Sequence, residues 1–135
     1  NYYNYLKKHK RFEFTKEEQL LIRIENKRVE QYIKMRKEEV IKVNMLGIPV
    51  GIVFAEQHRS ILGNKLVEEN PDIDIAVIIN INRSVSYRAC KDEIDINSIA
   101  AICNGGGHKH AGGSPLPDNL KEKILNYIFG EDIWK

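Results

Sequence analysis

Cysteine is scarce in this sequence: Cys90 and Cys103 are the only two in 135 residues. Two thiols cannot build a disulfide framework, so they read as small, semi-buried residues of a reduced, cytoplasmic protein. Long apolar runs are missing too. Nothing approaches the roughly 18 apolar residues that a membrane span requires, and no membrane partner is expected. The opening stretch Tyr2-Tyr3-Asn4-Tyr5-Leu6-Lys7-Lys8 lacks the apolar core and small-residue cleavage site of a signal peptide. It begins at Asn1 rather than methionine, as a piece cut from a longer chain would. No Ser-His-Asp or Cys-His arrangement suggests nucleophilic catalysis. Cys103, His108 and His110 lack a fourth ligand at structural-zinc spacing.

Charge of one sign is also lacking overall, at net +2, but it is unevenly spread. Residues 1–42 carry twelve Lys and Arg against seven Asp and Glu, whereas residues 43–135 carry nine against twelve. Lys and Glu alternate along the basic end, so it reads as a solvated helix face. The remainder is no basic platform. Any nucleic acid it takes is expected to be short and held in a pocket rather than tracked along a groove.

What is present describes one soluble domain with an extended appendage: 42% apolar residues, 30% charged. Thr15 followed by Glu18 forms a capping box, and Leu21, Ile24, Arg28, Ile33 and Val40 loosely follow helical spacing. This long polar helix with a thin apolar stripe suits a segment that packs on, or bridges to, another domain. Val40–Met45 and Ile48–Ala55 read as a hairpin about Leu46-Gly47. Ser60 is expected to cap a helix that runs through Glu69 and stops at Asn70-Pro71. Ile73–Asn80, nearly all apolar, reads as a central strand buried on both faces; Asp72 and Asp74 there suit a turn and strand edge better than a metal.

Ser84–Cys90 alternates Val85, Tyr87 and Ala89 against Ser86, Arg88 and Cys90, so one strand face is polar and carries Arg88. A short helix, Asp95–Cys103, follows, capped by Asp95 or Asn97, with Ile96, Ile99, Ala100 and Cys103 as its buried side. Asp118 is expected to cap a last helix with Leu120, Ile124, Leu125 and Ile128 on one face, ended by Gly130. The fold class is therefore α/β: a mixed sheet of four or five strands flanked by helices, with a long N-terminal connector helix.

The most unusual stretch is Gly105-Gly106-Gly107-His108-Lys109-His110-Ala111-Gly112-Gly113. Three consecutive glycines let a ligand approach the main chain and can offer N–H groups to an anion as a nest, with His108 adding a hydrogen bond or a charge. The alternative is that the glycines only cap the preceding helix and turn the chain. Alanine at position 106 separates the two: lost binding supports the nest, lost stability the turn.

The order Ser86-Tyr87-Arg88, then Asp95-Ile96-Asn97 opening a small helix, then Gly105-Gly106-Gly107-His108 with Ala111, Gly112 and Gly113, resembles the DHH-associated domain of the first type. That domain is the C-terminal, substrate-binding half of DHH phosphoesterases, which include nanoRNA hydrolases, single-strand exonucleases and cyclic dinucleotide phosphodiesterases. The resemblance is strongest over residues 84–116. Cys103-Asn104 departs from it, where many members carry an aromatic or aliphatic residue and another glycine.

The resemblance implies that residues 1–39 are a helical connector from an N-terminal DHH catalytic domain lying before Asn1, and that residues 40–135 are the DHH-associated domain. The parent would be a phosphodiesterase or exonuclease using two divalent metals, manganese being expected. The Asp-His-His triplet is absent here, so this chain alone is not expected to be catalytic, and no metal ligand is assigned in it. In the implied picture Gly105, Gly106 and Gly107 offer N–H groups, His108 stacks on or hydrogen-bonds a nucleotide, and Arg88 neutralises a phosphate beside Ser86. Lys109, His110 and Arg83 are secondary candidates. The partners implied are a short nucleic acid or phosphorylated nucleotide and the catalytic domain, with a second copy in a homodimer left open. Two rival classes remain open: a nucleic-acid-binding module similar to the C-terminal domain of alanyl-tRNA synthetases, and a dimerisation domain without substrate contact.

Overall fold

A computed structural model describes residues 13–134. The readings made on Asn1 and on Tyr2–Lys8, and the first part of the 1–39 segment, lie outside the described residues. Helix α1 (Lys16–Glu38) starts at the expected box: the Thr15 hydroxyl accepts from the Glu18 N–H, and Glu18 accepts from the Thr15 N–H. Its C-terminal half lies on the core through Val29, Tyr32 and Ile33. Leu21 and Ile24 of the expected stripe are 65% and 41% exposed, so the stripe buries only from Val29 onward.

Strands β1 (Ile41–Met45) and β2 (Ile48–Phe54) form the expected hairpin. Its two loop residues, Leu46 and Gly47, both have positive φ, 54° and 82°, as a two-residue turn that follows the strands' own twist requires. Helix α2 (Arg59–Glu69) then crosses back to β3 (Ile75–Asn80), which pairs parallel with β2 and is central as expected. Its side chains are buried on both faces except for half-buried Ile79. Strand β4 (Ser84–Arg88) pairs antiparallel with β3.

Helix α3 (Ile96–Ile102), capped by the Asp95 carboxylate on the Asn97 N–H, leads to β5 (Gly106–Gly107) and β6 (Ala111–Pro115). The chain closes with α4 (Leu120–Phe129) and a short α5 (Glu131–Trp134). The result is a six-stranded mixed sheet in the order β1-β2-β3-β4-β6-β5, an α/β fold as read from the sequence. Six strands exceed the four or five expected, the short glycine strand β5 being the addition at the edge.

Each sheet face has its own core. On one, α1 and α2 cover Val53, Ala76 and Ile78 with Ile33, Leu62 and Leu66; on the other, α3 covers Tyr87 and Ala89 with Ile96 and Ala100. Burying a leucine such as Leu62 or Leu66 contributes roughly 1.5–3 kcal/mol. Tyr32 also ties α1 to the β2–α2 connection, its hydroxyl accepting the N–H groups of Glu56 and Gln57 at 3.1 and 3.2 Å.

Surface ion pairs bind the remaining seams. Lys37 holds Glu69 at 2.7 Å and Lys42 holds Asp72 at 2.8 Å, and each lysine's hydrogen bond draws its carboxyl below the ordinary value. Such pairs help above the ordinary carboxylate range and are lost as pH falls through the depressed values; exposed as they are, they add little. Asp74 is bonded to Lys91. Both aspartates thus have the turn and edge role expected of them.

Three local readings are corrected. Ser60 does not cap α2: the N-cap is His58, in a left-handed conformation with no side-chain cap bond, and Ser60 sits one residue inside the helix. Asn119 rather than Asp118 takes the N-cap of α4. Cys90 and Cys103 are exposed rather than semi-buried, because β4 ends at Arg88 and α3 turns its Ile96 and Ala100 side inward. Among the described residues no helix is long and apolar enough to cross a membrane.

Candidate functional site

Strand alternation fixes which side chains of β4 can meet a ligand. Tyr87 points into the α3-side core, where its hydroxyl and that of Ser114 are 2.7 Å apart. Burial pushes the Tyr87 phenol above its ordinary value, so it stays a neutral hydrogen-bonding group that ties β4 to β6. Ser84, Ser86 and Arg88 therefore point to the opposite, α2-side face. There the Arg88 Nη2 donates to the Ser60 Oγ at 2.7 Å. The Arg88 stem packs under α2 so closely that a methyl group on Gly63 would sit 2.6 Å from the Arg88 Cγ.

Beyond Arg88 the same face continues onto β6 and β5. The register sets Arg88 opposite Ala111, and Ser86 opposite Gly113, which in turn faces Gly106. Residues directly opposite share a face, so Ser86, Gly113 and Gly106 form one cross-strand row. Beside a charged guanidinium, then, the β6 and β5 positions Ala111, Gly113 and Gly106 carry nothing larger than a methyl group, with Pro115 next along β6 opposite Ser84. A flat or bulky anion can rest against backbone there.

The glycines are not interchangeable. A methyl group on Gly105 would overlap the Gly113 carbonyl oxygen, and one on Gly107 would overlap Gly112 and the Ala111 carbonyl oxygen. At Gly112 it would meet the Gly106 carbonyl oxygen at 2.7 Å and the Ile96 side chain at 2.8 Å. These three allow β5 and β6 to press together. At Gly106 the nearest atom would be the Asn97 Oδ1 at 3.3 Å, a tight contact that asks only a small shift of one side chain.

The N–H groups of the loop are also partly committed. Gly105 donates to the Ala100 carbonyl at 2.8 Å, Gly107 to the Asn97 Oδ1 at 3.1 Å, and His108 to the Ala111 carbonyl at 2.7 Å. What the triple glycine contributes is therefore a paired edge strand, with only the Asn97 side chain close over Gly106, more than a fan of three free donors.

The remaining candidates divide. His108 and Lys109 form the exposed tip between β5 and β6, next to the glycine row. His110 is half-buried and faces Asp92 at 3.5 Å, away from the Ser60–Arg88 contact in its partnering. Arg83 lies in the β3–β4 turn, its N–H donating to the Asn80 carbonyl at 2.9 Å. Two residues that sequence reasoning did not place at the site are Ser60 and Asn97. Ser60 carried the signal of a cap; that its hydroxyl meets Arg88, 28 residues away, is a tertiary fact. Among the described residues no three His, Cys, Asp or Glu side chains converge in a way that could hold a metal ion.

No family model matches the chain. It is similar to the oligoribonuclease NrnB of Bacillus subtilis, with 34% identity over 128 residues, which is 94% of this chain and 32% of that protein. A 3',5'-cyclic-nucleotide phosphodiesterase of Helicobacter pylori is 36% identical over 69 residues, 50% of this chain and 19% of that protein. Among solved structures, an uncharacterized protein from Helicobacter pylori G27 superposes with a TM-score of 0.54 at 26% identity, over 68% of this chain and 28% of that one. The chain spans a third or less of the length of each of these relatives.

Proposed function

We propose that this chain, a phosphodiesterase-related domain of the DHH-associated kind, holds the phosphate and sugar of a short oligonucleotide for a hydrolytic domain elsewhere in its parent protein. The resemblance to the DHH-associated domain is supported by an oligoribonuclease that is 34% identical over 94% of this chain. The observation that carries the functional reading is the pairing of a hydroxyl-oriented guanidinium, Arg88, with the bare row Ser86, Gly113 and Gly106 on one face. Arginine's planar fork suits a phosphate, and the missing side chains let sugar and phosphate lie against the strands. His108 and Lys109, exposed at the tip, would flank the base end of such a ligand.

The division of labour follows from the residues present. This surface can bind, orient and partly neutralise an anion, which lowers the barrier of a reaction carried out on it by fixing geometry. It offers no ligand set for the two divalent ions that the resemblance implies, so no hydrolytic step is assigned to it. In the parent those ions would activate water from the catalytic domain, toward which α1 would lead. The purified chain is expected to bind a 5'-phosphorylated dinucleotide in a titration without metal. It should leave that ligand uncleaved when manganese is added. Metal-dependent turnover by this chain, followed chromatographically, would contradict the reading.

A further inference from the structure

The two edges of the sheet are finished differently. At one, β5 is two glycines long and too short to template another strand. At the other, β1 runs Ile41-Lys42-Val43-Asn44-Met45 with every residue exposed, and among the described residues nothing pairs with its outer side. The devices that usually blunt an edge are missing from it. It holds no proline, its pairing with β2 continues through all five residues without a bulge, and its one charge, Lys42, is drawn to Asp72 of the same chain.

The hairpin decides which backbone groups of β1 stay open. A two-residue loop closes on a hydrogen-bonded pair, here Met45 and Ile48, and such pairs alternate with non-hydrogen-bonded ones. Asn44 therefore falls opposite Pro49 at a non-bonded position, where the missing proline N–H does no harm. The N–H and C=O groups of Lys42 and Asn44 point away from β2. Side chains sort by the same alternation: Ile41, Val43 and Met45 lie opposite Ile52, Val50 and Ile48, on the α3-side face, and are 50%, 38% and 43% exposed. Helix α3 lies over β4, β5 and β6 and does not reach them. Between the hairpin and that helix is a cavity of about 90 Å³ walled by Met45, Leu46, Ile48, Val50, Ile99 and Ile102.

The partner that fits this edge is a second copy of it. The order apolar, polar, apolar, polar, apolar reads the same from either end, so an antiparallel copy centred on Val43 sets Ile41 against Met45, Val43 against itself and Lys42 against Asn44. Lys42 and Asn44 then exchange the backbone hydrogen bonds that each copy leaves open, and no charge faces its own sign. A slip of one residue would set apolar against polar, and a slip that centred the pair on Lys42 would oppose two lysines. We propose that β1 is a self-association edge, through which two copies pair antiparallel about Val43 and join their six-stranded sheets into one. The contact is closed by its two-fold axis and lets the two exposed apolar rows cover each other. It stands apart from the nucleotide-binding reading, because β4, β6 and β5 lie at the far edges and stay open.

The test combines sedimentation velocity with cross-linking. The chain should show a monomer–dimer equilibrium at micromolar concentration. Asn44→Lys, which sets two like-charged pairs across the axis, should weaken the dimer by up to about tenfold, and Asn44→Glu, which sets two opposite-charged pairs, should tighten it. Both effects should shrink in high salt. In a chain carrying Cys90→Ser and Cys103→Ser, Val43→Cys should link to its own counterpart on oxidation, because opposed residues of a non-hydrogen-bonded pair stand within disulfide reach. Tyr127→Cys, 92% exposed on α4, should link far less. The two readouts use different positions, so a misfolded variant of one leaves the other decisive. A chain that stays monomeric at millimolar concentration, a dimer indifferent to the charge at position 44, or one whose cysteines at 43 do not link would overturn the inference.

Discussion

Alanine at Gly107 is expected to cost the fold roughly 2–4 kcal/mol, while alanine at Gly106 costs less than about 1 kcal/mol and is felt instead in ligand binding. The difference comes from what surrounds each residue. The methyl group at 107 would overlap Gly112 and the Ala111 carbonyl oxygen, at a φ of +156° that side-chain-bearing residues rarely adopt. Gly105→Ala should be comparably damaging, since its methyl group would overlap the Gly113 carbonyl and lie 2.6 Å from the Ser114 Cα. Peeling β5 away from β6 sets an upper limit on both costs, because β5 is a two-residue strand at the sheet edge. At Gly106 only the Asn97 Oδ1 must give, by a few tenths of an ångström. The new methyl group would then stand in the open row opposite Gly113. Thermal or chemical unfolding of the three variants, beside titration of a phosphorylated dinucleotide, measures both quantities on the same samples. A Gly106→Ala protein that is destabilised as much as Gly107→Ala, with binding intact, would make the whole loop a turn.

Removing the Arg88 guanidinium should have the largest effect on affinity. Arg88→Ala is expected to weaken binding of the same dinucleotide by about 1.5–3 kcal/mol, the range for a hydrogen bond to a charged partner. It should also cost roughly 1 kcal/mol of stability, because the Arg88 stem fills the space left by Gly63 under α2. Lysine separates the two effects. It keeps the stem and one charge but cannot reproduce the fork, so Arg88→Lys should restore most of the stability and only part of the affinity. Unchanged affinity in the alanine variant would reduce Arg88 to a packing residue.

How much of this was legible in the sequence depended on whether the information was local. The hairpin about Leu46-Gly47, the apolar run of β3 and the alternation of Ser86 and Arg88 against Tyr87 are all carried by residues close together in the chain. They point to the right strands and to the right face. The pair β5 and β6 left no such trace. A strand made of Gly106 and Gly107, facing Gly112 and Gly113, has no side chains to alternate, and its existence follows only from pairing with β6. The start of α2 was misread for a related reason. Ser60 has the composition of a cap, but its hydroxyl serves Arg88, and the chain enters the helix through a left-handed His58 instead.

The central claim, that the α2-side face of β4, β6 and β5 receives a nucleotide phosphate, is tested most directly by nuclear magnetic resonance. A 15N-labelled chain titrated with a 5'-phosphorylated dinucleotide would show which amides move. The account predicts that the largest shifts fall on Gly106, Gly113, Ser86, Arg88 and His108, with the β1–β2 turn at Leu46 and Gly47 unmoved. Shifts centred on β1, or an unchanged spectrum at millimolar ligand, would contradict it.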